Sequence, residues 1–452
     1  MLARILVLSH YWAPENGVPQ RRWTWLTQVL HENGHSVSVV APPPHYNREV
    51  TLSKRFASIG KRLALRIRRM HPVEWGPAGE RIYRTTYLTG DSGLTAKAAN
   101  QGFVSLSMLR TLRRQKAALE SNKPDIIVGT VPALPTAVVA RIGAKMLGVP
   151  YVIDLRDAWP DLLSYSDDWN SGTGQASWRE RLFNKGLRRA GFSVVSDALN
   201  KALDGAAGII VTSEDLGKQL QREIPRRARG KRPNVCTVRN VFPLKSEAEK
   251  VSVSVDATGT DRDQLNVLYA GTLGRAQKLG NALEAAALAK KSGVDVHLKL
   301  VGAGATKAAL QEQAAALDVD VEVLPRTDAD ALDEHYQWAD TALVHLADWE
   351  PLRRAVPSKT YELMEAGIHI CAAVDGETAR IVSDLKAGHT VSPENPQELS
   401  NLWVRLAQNK DLLKVSDEAA KWVTEQRLQY APEVIVNFFD QILSRQANES
   451  GK

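Results

Sequence analysis

Short apolar runs alternate with amphipathic stretches along most of the chain, and this order predicts strands followed by helices. Residues 3–9 are predicted to be a buried strand, 19–33 a helix that ends at Gly34, and 36–40 the next strand. Further elements of the first half are predicted at 125–129, 134–147, 150–154, 208–212 and 235–240. Strands that alternate with helices are typical of a parallel sheet covered on both faces.

The same alternation starts again after a break in the middle of the chain. Residues 245–264 are polar and have no helical period, so we predict a linker or surface loop there. Beyond it we predict strands at 267–271, 296–301, 321–324, 341–346 and 368–374, and helices at 280–291, 306–317, 358–365, 396–409 and 416–443. The expected fold is therefore α/β, with two Rossmann-like doubly wound domains, 1–205 and 206–427, facing a central cleft.

Composition and charge fit two globular domains and exclude several other classes of protein. A chain of 452 residues is long enough for two or three cores. The net charge of +7 favours acidic partners such as phosphates or anionic lipid. The two cysteines, Cys236 and Cys371, are too few for a disulfide framework and indicate a reducing compartment. Because the first residues lack the features of a signal peptide, we expect a cytoplasmic protein. The most apolar long window, residues 136–153, contains Arg141, Lys145 and Pro150, so we expect no membrane span.

The strongest chemical signal is a glycine-punctuated turn at residues 271–278, between a predicted strand and a predicted helix. Gly271 and Gly274 allow backbone amides to approach an anion, and Arg275 and Lys278 can neutralise its charge. A pyrophosphate suits such a site. The alternative is a tight turn with exposed basic residues, since the spacing is not that of the dinucleotide fingerprint G-x-G-x-x-G.

A second anion site is predicted where a loop enters the helix at 358–365. We expect Ser358 to be the N-cap and Gly367 to lie just past the helix end, so that free amides and Lys359 can bind a phosphate oxygen. The carboxylate of Glu362 can accept two hydrogen bonds from a ribose. The alternative is a capped surface helix with an ordinary exposed glutamate.

In the first half, polar side chains cluster after the strand at 150–154. Arg156, Asp157 and Trp159 follow it, and such a group at the edge of a cleft favours recognition of a polyol. Trp159 is alternatively an anchoring core side chain. The loop that ends in Gly17 follows the first strand and faces the same cleft.

A basic stretch lies between Lys54 and Arg69, with seven basic residues, no acidic one and several apolar side chains between them. It has the character of an amphipathic helix on anionic lipid, where each cation contributes about 1 kcal/mol. A solvated helix packed on the sheet is the alternative. No nucleic-acid module is recognised, and the histidines lack metal-ligand spacing, so we expect neither nucleic acid nor a bound metal.

In their order and spacing these pieces resemble the retaining glycosyltransferases of family four, which have the two-Rossmann GT-B fold. The resemblance extends over nearly the whole chain and is carried by the loop ending in Gly17, Gly34-His35-Ser36-Val37, Lys123-Pro124-Asp125, Arg156-Asp157-x-Trp159-Pro160, Asn240, Tyr269-Ala270-Gly271, Val301-Gly302-x-Gly304 and Pro357-Ser358-Lys359 through Gly367. The Arg156-Asp157-x-Trp159-Pro160 version is similar to that of a subset active in polysaccharide and O-antigen assembly.

The resemblance implies a nucleotide diphosphate sugar as donor on the second domain, without a metal cofactor, because basic side chains and helix amides stabilise the leaving diphosphate. The residues implied on the donor are Arg275 and Lys278 at the diphosphate, Glu362 at the ribose, and Gly271, Gly274, Ser358, Lys359 and Arg326 around it. The first domain would hold a glycan or polyprenyl-linked acceptor near Gly17, Arg156, Asp157 and Trp159. The final helix, at about 428–452, would cross back onto the first domain.

Two features depart from the family pattern. The family has two glutamates separated by seven residues, of which Glu362 matches the second, while Arg354 occupies the first position and Glu350 lies nearby. The frequent active-site histidine of the first domain has no clear match, and Asp157 is left as a sugar or acceptor contact.

The activity expected is retaining transfer of a sugar to a glycan or lipid-linked acceptor in cell-surface polysaccharide or glycoconjugate biosynthesis. The basic stretch would bring the enzyme to the inner face of the plasma membrane. Two alternatives stay open, namely a nucleotide-sugar 2-epimerase of the same architecture and a non-catalytic assembly protein, the latter because of Arg354.

Overall fold

The computed structural model describes residues 2–15, 17–44, 73–87, 94–114, 123–131, 133–165, 192–227, 232–243, 263–327 and 332–450. The basic stretch and nearly all of the predicted linker at 245–264 lie outside these residues.

Eight of the described strands form the first sheet. Their bounds are β1 Arg4–Leu8, β2 Ser36–Ala41, β3 Glu74–Trp75, β4 Arg81–Arg84, β5 Ile126–Val131, β6 Tyr151–Leu155, β7 Gly208–Val211 and β8 Asn234–Thr237. They lie in the order β3-β4-β2-β1-β5-β6-β7-β8, and every neighbouring pair except β3 and β4 is parallel. The helices are α1 Val18–Glu32, α2 Leu94–Arg114, α3 Pro135–Leu147 and α4 Glu214–Arg227, with a further helical segment at 192–204.

Six strands form the second sheet: β9 Gln264–Ala270, β10 Asp295–Val301, β11 Val321–Leu324, β12 Thr341–His345, β13 Ile370–Ala373 and β14 Gly388–Val391. All neighbours are parallel, in the order β11-β10-β9-β12-β13-β14. The accompanying helices are α5 Gly280–Lys291, α6 Lys307–Leu317, α7 Leu332–Trp338, α8 Ser358–Glu365, α9 Glu377–Asp384, α10 Pro396–Gln408, α11 Glu418–Glu425 and α12 Ala431–Ser450.

These strand orders confirm the expected fold of two Rossmann-like doubly wound domains. The central strands β5, β6, β7 and β12 are buried along their whole length, because helices cover both faces of each parallel sheet. The strand order reverses between β1 and β5 in the first sheet and between β9 and β12 in the second. Crevices at the carboxyl ends of strands beside such switch points are the usual ligand sites of this architecture.

The predicted boundary between the domains is wrong. β7 and β8 pair with β6 in the first sheet, so the first domain continues past residue 205 as far as the segment at Pro243. A boundary at residue 205 places both strands in the second domain, because an apolar strand carries no local mark of the sheet that it joins.

The end of the chain crosses back onto the first domain. A turn of π-helix, Gln426–Tyr430, joins α11 to α12, where the sequence predicted one helix at 416–443. Phe438 of α12 packs so closely on Gly208 that a Cβ there would lie 2.4 Å from the phenyl Cζ. Asn234 Nδ2 donates to Gln441 Oε1 at 2.8 Å, which also holds α12 on β8.

A buried ion pair fixes α1 against the first sheet. Arg22 Nη2 lies 3.0 Å from Asp154 Oδ1, and both side chains are 0% exposed. The indole of Trp23 donates to the other carboxylate oxygen at 2.8 Å, and Arg22 Nη1 donates to the Val238 carbonyl oxygen at 2.8 Å. Asp154 is therefore a structural residue. Arg21, which directly precedes Arg22 on α1, lies at the cleft.

Candidate active site

The turn after β9 is packed against the turn after β10. The Leu273 N–H donates to the Ala303 carbonyl oxygen at 3.0 Å. A Cβ at Gly302 would lie 1.8 Å from the Gly271 carbonyl oxygen, and one at Gly304 would lie 2.0 Å from that of Leu273. Glycine is required at both positions, because backbone meets backbone there. Residues 271–278 are thereby held at the carboxyl end of β9.

The two basic residues of this turn are placed by its backbone. Arg275 begins a short 3-10 turn, and its Nε is buried without a hydrogen-bond partner in the described chain. Lys278 has φ 43°, in the left-handed region, and its Nζ lies 3.8 Å from Glu394 Oε2. The turn thus carries two basic residues beside Gly271 and Gly274.

The helix α8 carries the second predicted group, with one correction at its start. Pro357 is the N-cap, since its carbonyl oxygen accepts from the Thr360 N–H at 3.0 Å, and Ser358 is the first helical residue. The prediction of Ser358 as N-cap is therefore wrong by one position, because Ser358 already belongs to the helix. Gly367 lies just past the helix end with φ 67°, as expected.

Glu362 is buried at the cleft rather than exposed, at 6% of its surface. Its carboxylate accepts from Lys359 Nζ of the same helix and from Arg21 Nη1 of the first domain, the latter at 3.3 Å. Lys359 Nζ also donates to the Tyr336 hydroxyl at 3.3 Å. The alternative of an ordinary surface glutamate is therefore wrong.

The charges around Glu362 are stabilised by one another. Burial alone would lower the pKa of Lys359, but the carboxylate of Glu362 and the hydroxyl of Tyr336 raise that pKa above its usual value. Lys359 therefore stays positive, and it neutralises the carboxylate beside it. Burial raises the pKa of Tyr336, so that its hydroxyl keeps its proton.

Arg21 brings the first domain to this carboxylate. Its Nη2 donates to the Pro243 carbonyl oxygen at 3.0 Å, and its guanidinium carbon lies 4.7 Å from the centre of the Phe242 ring. Arg21 thus joins α1, the end of the first domain and α8 at one point.

The opposite wall of the cleft holds Asp157 and its neighbours after β6. Burial raises the pKa of Asp157, an effect that Arg156 and the Trp159 indole oppose. Burial lowers the pKa of Arg156, while Asp157 and Asp154 oppose that change. Nε and Nη1 of Arg156 are buried without a hydrogen-bond partner in the described chain.

Arg354, in the place of the family's first glutamate, points to the first domain. Its Nη2 lies 2.9 Å from Asp161 Oδ2 and 3.1 Å from Glu350 Oε2, and the side chain is 11% exposed. A cavity of about 610 Å³ opens beside this contact. It is lined by Asp161, Asp215, Gln219, Arg222, Glu223, Glu350 and Arg354.

The remaining predicted residues lie around the cleft without joining these clusters. Gly17 is buried at the start of α1, with extended backbone, and Arg326 is exposed after the edge strand β11. Among the described residues, no hydrogen bond or ion pair links Asp157 to Arg275, Lys278 or Glu362. The predicted donor residues belong to the domain of the second sheet, and the predicted acceptor residues belong to that of the first.

Sequence reasoning missed Arg21 and Tyr336, which complete the surroundings of Glu362. Arg21 is 341 residues away from its partner along the chain, and no local pattern marks such a contact.

Two family models together match most of the chain. The model described as "Glycosyl transferase 4-like domain" matches residues 17–234, and "Glycosyl transferases group 1" matches residues 254–423. The chain is a GT-B glycosyltransferase. No curated protein sequence matches it significantly.

Solved structures with low sequence identity share the fold of this glycosyltransferase. Sucrose-phosphate synthase from Thermosynechococcus elongatus is 14% identical with a TM-score of 0.63, over 98% of this chain and 100% of the other. HepE of Anabaena, in complex with UDP and glucose, is 16% identical with a TM-score of 0.56, over 98% and 99%. WaaG, a glycosyltransferase involved in lipopolysaccharide biosynthesis, is 13% identical with a TM-score of 0.59, over 97% and 99%.

The described part of this glycosyltransferase has neither a cluster of metal-ligating residues nor a helix that could span a membrane. No group of three or more metal-ligating side chains is found there. No helix there is long and apolar enough to cross a bilayer.

Proposed function

We propose that this glycosyltransferase moves a sugar, with retention of configuration, from a nucleotide diphosphate sugar to a glycan or lipid-linked acceptor in cell-surface polysaccharide or glycoconjugate biosynthesis. The two matching family models support sugar transfer from a nucleotide. HepE has been solved with UDP-glucose, and WaaG acts in lipopolysaccharide biosynthesis, which is the kind of chemistry proposed here.

The observation that carries the proposal is the buried carboxylate of Glu362 between two cations at the cleft. Lys359 and Arg21 both donate to it, and a carboxylate has lone pairs left for the two hydroxyls of a ribose. Glu362 lies on α8, which follows β12 along the chain, and β9 is the neighbour of β12 in the sheet. The Gly271–Lys278 turn at the end of β9 can therefore bind the diphosphate of the same donor.

The reaction proposed needs no metal ion. The bond between the sugar C1 and the diphosphate oxygen breaks while the acceptor oxygen bonds to C1 on the same face, and the acceptor proton passes to the departing diphosphate. Arg275, Lys278 and the amides at the start of α8 stabilise the negative charge that grows on the leaving group. Asp157 and Arg156 on the opposite wall bind the sugar or the acceptor.

The test compares Glu362→Gln with a matched control, Glu312→Gln, on the exposed surface of α6. The donor that stabilises the wild-type protein is incubated with EDTA, with and without glycan acceptors, and the anomers are followed by proton NMR. We expect retention of configuration in the wild type and the control, and at least a tenfold loss of kcat/KM in E362Q. An inverted product, or equal activity of E362Q and E312Q, would contradict the proposal.

A non-catalytic assembly role is a second candidate, because Arg354 turns away from the donor side to Asp161. The same NMR experiment separates the candidates. An assembly protein would bind the donor and leave it unchanged, and a 2-epimerase would change the donor sugar without an acceptor.

We also propose peripheral contact with the cytoplasmic face of the membrane through the basic stretch between Lys54 and Arg69. Replacing Lys61, Arg62, Arg66, Arg68 and Arg69 by Gln should abolish flotation with phosphatidylglycerol vesicles at low salt. Unchanged flotation of this variant would overturn the membrane proposal and leave the transfer proposal intact.

A further inference from the structure

His345 ends β12, the strand beside the switch point of the second sheet, and it reaches the turn that carries the predicted diphosphate contacts. The side chain is 2% exposed. Its Nε2 lies 2.8 Å from Nδ2 of Asn281 in the first turn of α5, and the ring contacts the backbone of Gln277. Two residues on, the Ala347 N–H donates to the Ala276 carbonyl oxygen at 2.8 Å. The end of β12 therefore contacts both the turn and the helix after it.

The protonation state of His345 suits these contacts. Burial lowers the pKa of His345 to about 4, so the ring is neutral at pH 7. A neutral imidazole has one donor and one acceptor nitrogen. In the neutral ring Nε2 can accept from the Asn281 amide, while Nδ1 is buried without a hydrogen-bond partner in the described chain.

The turn needs such support because its backbone is strained. Lys278 has φ 43°, and left-handed backbone costs a residue other than glycine about 1 kcal/mol. The Gln277 N–H donates to the Gly274 carbonyl oxygen at only 3.3 Å. Contacts from outside the turn must therefore hold this conformation.

We propose that His345 is a positioning residue for the nucleotide diphosphate: it holds the 271–278 turn and the first turn of α5 so that Arg275 and Lys278 face the anion. The inference rests on the proposed donor site. His345 touches the backbone of the turn and Asn281, and it acts on the diphosphate through them.

The same sheet offers a matched control at its other end. His369 is also 2% exposed, and burial lowers its pKa to about 3. It precedes β13 and bonds to Thr341 Oγ1 and to His389, with 2.8 Å for each contact. Because it lies at the amino ends of the strands, its loss should cost stability without moving the turn.

The experiment measures, by calorimetry, the Kd of whichever of UDP, GDP and ADP binds the wild type, together with each variant's Tm. We expect His345→Phe to raise Kd about tenfold, from the loss of a buried hydrogen bond and its alignment. His345→Gln, whose amide reaches the Nε2 position, should stay within about threefold. His369→Phe should lower Tm and leave Kd unchanged. Asn281→Leu removes the hydrogen bond to His345 by changing the partner residue, and its Kd is measured instead if H345F does not fold.

Equal effects of H345F and H369F on Kd would overturn the inference, as would unchanged Kd in both H345F and N281L. If no nucleotide binds the wild type, the donor site itself is wrong. That result differs from a wild type that binds while the variants match it.

Discussion

Arg354 Nη2 and Asp161 Oδ2 lie 2.9 Å apart across the cleft, so a residue of the second domain is tied to the first. Asp161 stands four residues after Asp157, and Arg354 stands eight before Glu362. The Ser213 hydroxyl also donates to the Arg354 carbonyl oxygen from the first domain. The position that resembles a sugar-binding glutamate in the family therefore joins the two walls in this chain.

Breaking this ion pair should slow transfer. Arg354→Gln and Asp161→Asn should each lower kcat several-fold, because Asp157 would no longer be held in a fixed position relative to the donor. A double-mutant cycle should give a coupling energy of about 1 kcal/mol between the two residues. Arg353→Gln is the control, since Arg353 pairs with Asp348 and Asp375 inside the second domain.

Restoring the family's glutamate is a sharper form of the same prediction. Arg354→Glu places a third carboxylate beside Asp161 and Glu350, so activity should fall below that of R354Q. A gain of activity in R354E would show that Arg354 has no joining role.

The buried pair of Arg22 and Asp154 should be essential for stability. Asp154→Asn or Arg22→Met leaves an unpaired charge in a fully buried site, and each should reduce the free energy of unfolding by about 3–5 kcal/mol in urea titrations. The exposed pair of Lys414 and Asp411 is the control, and Lys414→Met should leave the transition where it is. Equal effects of the two pairs would contradict this account of α1.

Gly302 should tolerate no side chain. In Gly302→Ala the new Cβ would meet the Gly271 carbonyl oxygen at 1.8 Å, which displaces the turn before Arg275. We expect loss of nucleotide binding by calorimetry and a lower Tm. Gly102→Ala in α2 is the control, because an added Cβ there would meet no neighbouring atom within 4 Å. This variant should increase the free energy of unfolding by about 0.5–1 kcal/mol. Nucleotide binding by G302A as tight as in the wild type would refute the close packing.

Stability should fall as the pH drops below about 6.5. Burial lowers the pKa of His369 to about 3 and that of His345 to about 4. Each histidine takes up a proton near pH 6.5 in the unfolded chain but not in the folded chain. Each therefore lowers the free energy of unfolding by about 1.4 kcal/mol per pH unit below 6.5, until the pH reaches its pKa in the folded protein. Urea titrations from pH 7.5 to pH 5 should show this slope, and His369→Phe should remove one proton's share. A slope unchanged in H369F would show that His369 titrates normally.

The pattern of apolar and polar residues predicted those strands and helices that are marked by an apolar run or a helical period. Apolar runs such as β1 and β9 lie within a few residues of their predicted bounds, and α5, α8 and β11 match them. The strand β14 was missed because it contains His389 and Thr390, and β4 because it begins and ends with arginine. Neither has the apolar run by which a central strand is recognised.

The candidate site divides in the same way. The glycine turn and the start of α8 are visible in sequence because glycine, proline and basic residues mark turns that bind anions. The pairing of Arg21 with Glu362 and of Arg354 with Asp161 depends on how the two sheets face each other, which no window of sequence contains. Residue type alone therefore indicates candidate site residues, whereas the residues that they pair with are known only from the fold.

The most direct test of the account is a thermal-shift panel of the wild-type protein with UDP, GDP and ADP and their sugars, in EDTA. We predict a selective shift with one nucleotide, corresponding to about 2.7 kcal/mol at a ligand concentration of one hundred times Kd, and loss of most of that shift in E362Q. No shift with any nucleotide, or an equal shift in E362Q, would contradict the donor site at Glu362.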